Sequence, residues 1–178
     1  MTLDPTRGLA GLSRLIAARE ITPVEAVELS LERIAAFDPD LRFFVRVEAD
    51  AARAAAQEAE AEIAAGRLRG PLHGVPVAVK DIVDMKGLPT TNGSALTLEH
   101  VAQADAAVVE KLRAAGAIIV GKTETHEFAI GGPDPDLPFG PARNPWNTEH
   151  YPGGSSSGSG AAVAAGAAGG GPRTPTGG

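Results

Sequence analysis

The chain reads as an α/β domain with at least partly parallel strand pairing, and three observations predict that class. Two short runs, Val75-Pro76-Val77-Ala78-Val79 and Ala117-Ile118-Ile119-Val120, have the length and β-branched composition of buried strands. Between them, Ala106 to Ala115 carries apolar residues at helical spacing. Strand, helix and strand thus follow one another with short joints, a βαβ-like order.

Taken in order, Leu9, Leu12, Leu15 and Ile16 fall on one helical face and predict a first amphipathic helix. Thr22-Pro23-Val24-Glu25 then reads as a helix start, with threonine as N-cap, proline at N1 and glutamate at N3 closing a capping box. Val24, Val27, Leu31 and Ile34 give this second helix its apolar face. Phe37-Asp38-Pro39-Asp40 should end it, because the residue before a proline is pushed out of the α region. From Glu48 to Ala65 an alanine-rich, charge-studded stretch has high helix propensity but a thin apolar stripe, which predicts a surface helix with solvated charges.

The Val75 to Val79 strand delivers Lys80 and Asp81 to its C-terminal end. The helix that follows takes Asp105 as N-cap, turns Val108, Val109 and Leu112 inward, and stops at Gly116. From Gly131 to Pro152 six prolines mark a long irregular segment, and such segments are often functional. Trp146 within it reads as a packing anchor. Beyond lies glycine, at ten of the 26 positions from Gly153 to Gly178.

Composition narrows the function. The 178 residues suit one domain, and a net charge of -6 lacks the basic stripe that draws phosphate backbones, so direct nucleic-acid binding is not expected. Without cysteine there is no disulfide framework, thiolate zinc site or cysteine nucleophile. His73, His100, His126 and His150 lack ligand spacing, so neither metal nor cofactor is expected. The N-terminus has no basic and apolar leader, and no long apolar run follows, which predicts a soluble, cytoplasmic protein off the membrane. One Trp, one Tyr and five Phe anchor little, and the abundant alanines bury little area each, so the core should need further chain to cover it.

The run from Pro152 to Gly160 admits four readings. Gly153 and Gly158 have phosphate-loop spacing, but Ser159 stands where that motif requires lysine, and no apolar strand precedes it. Gly154-Ser155-Ser156-Ser157-Gly158 matches a nucleophile elbow, yet no Asp, Glu or His follows His150 to complete a triad. A flexible linker fits the composition. It leaves unexplained the specific flanks Phe139-Gly140-Pro141, Arg143-Asn144-Pro145-Trp146 and Ala161-Ala162-Val163-Ala164-Ala165-Gly166.

The fourth reading is a family resemblance. Gly70-Pro71-Leu72-His73-Gly74-Val75-Pro76, Val77-Ala78-Val79-Lys80-Asp81, Gly93-Ser94, Gly121-Lys122-Thr123 with Glu127-Phe128-Ala129, and Phe139 to Gly160 occur in an order and spacing that resembles the amidase signature family of serine hydrolases. The likeness runs from about Leu9 to Gly166. It implies the amidase signature fold, a mixed central sheet flanked by helices, incomplete in this chain. Residues 1–178 would be the N-terminal part of one such domain, stopping just before the expected nucleophile serine. Residues 167–178 read as a degraded or divergent tail, with Pro175 where the family has aspartate and Ala167-Ala168-Gly169-Gly170-Gly171-Pro172-Arg173 in place of an apolar strand.

The resemblance also implies a chemistry. Amide hydrolysis needs an activated nucleophile, a proton donor for the amine and donors for the oxyanion. Lys80 would be the base and Ser155 a bridging serine reached through a cis Gly154-Ser155 peptide, with the acylated serine beyond Gly178. Gly153, Gly154 and Ser156 would lie in the substrate loop, and Thr176, Gly177 and Gly178 in the turn that forms the oxyanion hole. Lysine serves as a base near neutral pH only if burial disfavours its ammonium, and the end of an apolar run suits that. On the residues alone, a lysine that snorkels outward or pairs with Asp81 is the commoner outcome. Ser156, Ser157 and Ser159 read as loop hydrogen-bonders.

The expected activity is hydrolysis of a small-molecule carboxylic amide through an acyl-serine, without cofactor, with this chain inactive for want of the nucleophile. One alternative is the A subunit of a glutamyl-tRNA(Gln)/aspartyl-tRNA(Asn) amidotransferase, which works with companion subunits. The other is a non-catalytic truncated remnant. A homodimer is the partner expected otherwise.

Overall fold

The computed structural model describes residues 8–170. Helix α1 (Gly8–Ala17) buries Leu15 and Ile16, as its spacing requires. Helix α2 (Pro23–Leu41) opens on the expected capping box: Glu25 N donates to Thr22 Oγ1 at 3.1 Å, and Thr22 N donates to Glu25 Oε2 at 2.8 Å. It does not stop before Pro39. That proline sits in the last turn, where its missing N–H forfeits one bond, and Asp38 stays helical because its side chain is used. The Asp38 carboxylate accepts from Phe43 N and Phe44 N, both at 2.8 Å, while Arg42 in the left-handed region (φ 53°) closes the helix onto Asp38 O at 2.8 Å.

Strand β1 (Phe44–Val47) follows, an element the sequence did not announce. Helix α3 (Ala49–Ala64) is more than a surface helix, because Ala52, Ala56, Ala59 and Ile63 are buried. The three alanines join Val27, Leu31 and Ile34 of α2 in one core. Their small side chains allow close approach, while Arg53 holds Glu28 of α2 through two bonds of 2.6 and 3.0 Å on the exposed side.

Strand β2 (Pro76–Lys80), helix α4 (Ala107–Ala114) and strand β3 (Ile118–Thr123) form the expected unit, with β2 parallel to β3. Helix α4 starts at Ala106, which offers no side-chain cap. Asp105 instead accepts from Lys86 N at 2.7 Å and pairs with Arg113 at 3.2 Å. Val109 is fully buried; Val108 and Leu112 pack only partly.

The sheet order is β1-β3-β2, with β1 antiparallel to β3, so the sheet is mixed. One face carries Ala78, Ile118 and Val120 against α2, α3 and α5 (Ser157–Ala164). The other carries Val75, Val77, Val79 and Ile119 against α1 and α4. Both ladders shift register near Gly121, whose Cβ, if present, would lie 2.2 Å from Arg46 O. Past the shift Val79 pairs with Lys122 and Lys80 with Thr123, which sends Lys80 and Lys122 to opposite faces.

After α5, Ala167 and Ala168 are buried, and Gly169 N donates to Pro76 O at 3.0 Å while Ala78 N donates to Gly170 O at 3.1 Å. This segment runs along the edge of β2. Trp146 is 83% exposed and anchors no core; its segment is held by polar turns, with Trp146 N donating to Asn144 Oδ1 at 2.9 Å. Among the described residues no helix is long and apolar enough to cross a membrane.

Candidate functional site

The site forms where the parallel strands end. Lys80 is the last residue of β2, its side chain wholly buried on the α5 face. Ser155, 75 positions later and 3% exposed, sits at the approach to α5, and Lys80 Nζ lies 2.6 Å from Ser155 Oγ. Burial pushes the Lys80 amine below its ordinary pKa, with Glu124 pulling the other way. An amine so placed holds its proton less firmly than an exposed lysine and faces a hydroxyl at transfer distance.

Lys80 neither snorkels nor takes Asp81 as its partner. Asp81 Oδ1 is 2.6 Å from Lys122 Nζ, which arrives from the opposite face and also reaches Pro89 O at 2.7 Å and Thr90 Oγ1 at 2.9 Å. The other carboxylate oxygen of Asp81 accepts from Thr91 N at 3.1 Å and from the Thr91 hydroxyl. Desolvation lowers the Lys122 pKa too, but here a carboxylate directly opposes it. The two buried lysines therefore stand in different chemical settings.

The peptide Gly154-Ser155 is cis. His126 supports it: its backbone N–H donates to Ser155 O at 3.1 Å, and its ring packs on Gly154 so closely that a Cβ there would fall 2.1 Å from Cε1. The ring itself is turned to Gly131 O, 3.1 Å from Nδ1. Gly153 has φ 84° and is exposed, a backbone state that favours glycine.

Two of the three remaining serines are hydrogen-bonded as expected. Ser157 Oγ donates to Glu124 Oε2 at 2.6 Å, and Ser159 Oγ meets Thr123 Oγ1 at 2.7 Å. The Ser156 hydroxyl is buried and without a hydrogen-bond partner among the described residues. Thr176, Gly177 and Gly178 lie outside the described residues. No group of three or more His, Cys, Asp or Glu able to hold an ion occurs among the described residues. His73 is a satisfied core histidine, its Nδ1 accepting from Arg69 N at 3.1 Å.

Glu124, Lys122 and the backbone of His126 were not singled out by sequence reasoning. The Gly121-Lys122-Thr123 motif marks the place but not the faces, which depend on the register shift at Gly121.

A family model described as Amidase matches residues 25–178. Among curated proteins, the chain is 48% identical over 145 residues to the A subunit of the glutamyl-tRNA(Gln) amidotransferase of Acidothermus cellulolyticus, covering 82% of this chain and 29% of that protein. Among solved structures, the native peptide amidase of Stenotrophomonas maltophilia superposes with a TM-score of 0.82 at 37% identity, over 90% of this chain and 34% of the other. A bacterial aryl acylamidase of the amidase signature family gives 0.83 at 32% identity, again over 90% and 34%. The chain spans about a third of the length of these relatives.

Proposed function

Since the chain belongs to the amidase signature family, we propose that it supplies the base and the bridging serine of an amide hydrolase acting on small-molecule carboxylic amides. The observation that supports this best is the buried 2.6 Å contact between Lys80 and Ser155. In this reading neutral Lys80 accepts the Ser155 proton while Ser155 takes one from the attacking serine. That nucleophile would follow Gly178, and the acyl group would pass to it. The amine leaves as the same protons return, so Lys80 is base and then acid in turn. Gly153, Gly154 and Ser156 would border the substrate, and the backbone N–H groups of Thr176, Gly177 and Gly178 would receive the oxyanion. No cofactor enters any step.

A second reading has separate support. The curated relatives include A subunits of glutamyl-tRNA(Gln) amidotransferases, among them that of Roseiflexus at 44% identity over 156 residues. Under it the same relay would release ammonia from an amide side chain, and companion subunits would be the partners. Glutamine-dependent ammonia release that requires added companion subunits would favour this reading over free-standing amide hydrolysis.

A serine-directed fluorophosphonate probe tests the relay. In a protein carrying this chain with a family-like continuation, labelling should fall on a serine beyond Gly178 and disappear with Lys80→Ala. Labelling of the 178-residue chain at Ser155, abolished by Ser155→Ala, would overturn the assignment.

A further inference from the structure

We propose that Glu124 is a positioning residue, whose buried carboxyl clamps the first turn of α5 and sets the charge field in which Lys80 and Ser155 meet. The proposal rests on the reading of Lys80 and Ser155 as a relay and adds a third side chain to it.

Glu124 follows β3 directly and is 5% exposed. Its backbone is fixed on both sides, N donating to Phe43 O at 3.0 Å and O accepting from Gly158 N at 3.2 Å. Gly158 fits so tightly that a Cβ there would lie 2.5 Å from both Glu124 N and Phe43 O. Its carboxyl accepts from the Ser157 hydroxyl at 2.6 Å, and the nearby backbone N–H groups of Ala142 and Gly158 favour its ionised form. Helix α5 has no side-chain cap of its own, because the Ser156 hydroxyl makes no capping bond. Glu124 holds that end from another element, its backbone O taking the Gly158 N–H and its carboxyl, bonded to the Ser157 hydroxyl, placing an acidic group where the helix dipole favours negative charge. Ser155 stands two residues before Ser157, so anchoring this turn fixes the serine hydroxyl relative to the end of β2.

The same carboxyl acts on Lys80. Burial raises the Glu124 pKa, and the Ser157 bond, the backbone donors and Lys80 oppose it. Ionised Glu124 in turn favours charged Lys80. Among the described residues the other titratable groups at this end of the sheet face elsewhere: Lys122 and Asp81 pair with each other, and the His126 ring turns to Gly131 O. Protonation of Glu124 therefore shifts Lys80 toward the neutral amine that a base requires.

The test follows the Lys80 13Cε and Glu124 13Cδ resonances of the isotope-labelled chain through a pH titration, with Lys80→Met identifying the lysine signal. Glu124→Gln keeps an acceptor for Ser157 and removes the charge. It should leave the circular dichroism spectrum unchanged and lower the Lys80 midpoint by about half a pH unit or more. An unmoved midpoint in a folded Glu124→Gln variant would overturn the electrostatic role. Glu124→Ala should speed amide exchange at Gly158 and Ser159, and unchanged exchange would overturn the clamp. Should either variant fail to fold, the unmodified chain decides: each resonance should show a second inflection at the other group's midpoint, and single inflections would overturn the coupling. A Lys80 midpoint at the ordinary lysine value would instead sink the relay, a result independent of what Glu124→Gln does.

Discussion

Lys80 is carried at the expense of stability. Its folded-state pKa is lowered by burial, so the native state binds the proton less well than the unfolded chain. The burden is full at pH values below the folded pKa and is relieved as pH rises through it toward the ordinary lysine value. Lys80→Met should therefore stabilise the fold by about 1 kcal/mol near neutral pH, read as a higher thermal midpoint, with the gain shrinking in alkali. A variant less stable than the parent would contradict this. Lys80 and Ser155 could be read from motif spacing because a catalytic geometry constrains residue types along the chain. Glu124 and Lys122 could not, since their chemistry depends on which face of the sheet each occupies, and one shifted residue exchanges the faces.

At the scale of elements, the contact between β1 and β3 depends on Gly121. A methyl group there would meet the backbone carbonyl of Arg46, which has no rotamer to move into, at 2.2 Å. Gly121→Ala should cost about 2 to 3 kcal/mol, seen as a lower denaturant midpoint at unchanged m-value. Thr22→Ala, which removes half of the α2 capping box, should cost about 1 kcal/mol in the same measurement. Strongly periodic helices and the two β-branched strands were legible in the sequence because burial imposes its period on them. Strand β1 was not, for its four residues bury only Phe44. Nor was the passage of α2 through Pro39, decided by an Asp38 side chain bonding forward to Phe43 and Phe44. The alanine stripe of α3 was undervalued because small residues gain by closeness rather than by area.

For the whole molecule, acid response should be led by the buried carboxyl of Glu124. Its folded pKa is raised, so the native state binds its proton more tightly, and stability should fall as pH climbs from 4.5, its ordinary value, through the folded one. Thermal midpoints measured across that window should lose the downward slope in Glu124→Gln; an identical slope would refute the assignment. Some ties of the fold also join distant parts: Ser30 Oγ of α2 donates to Ala167 O, 137 positions away, and Arg33 Nη1 reaches Ala165 O at 3.3 Å. A ribosome adds about 5 to 20 residues per second, so α2 leaves the tunnel roughly ten seconds before the segment that closes over it. During synthesis the α5-facing side of the sheet, with Lys80 on it, lacks its α5 cover from the end of β3 at Thr123 to the end of α5 at Ala164, about 2 to 8 seconds at that rate, which is when a chaperone would meet this nascent chain.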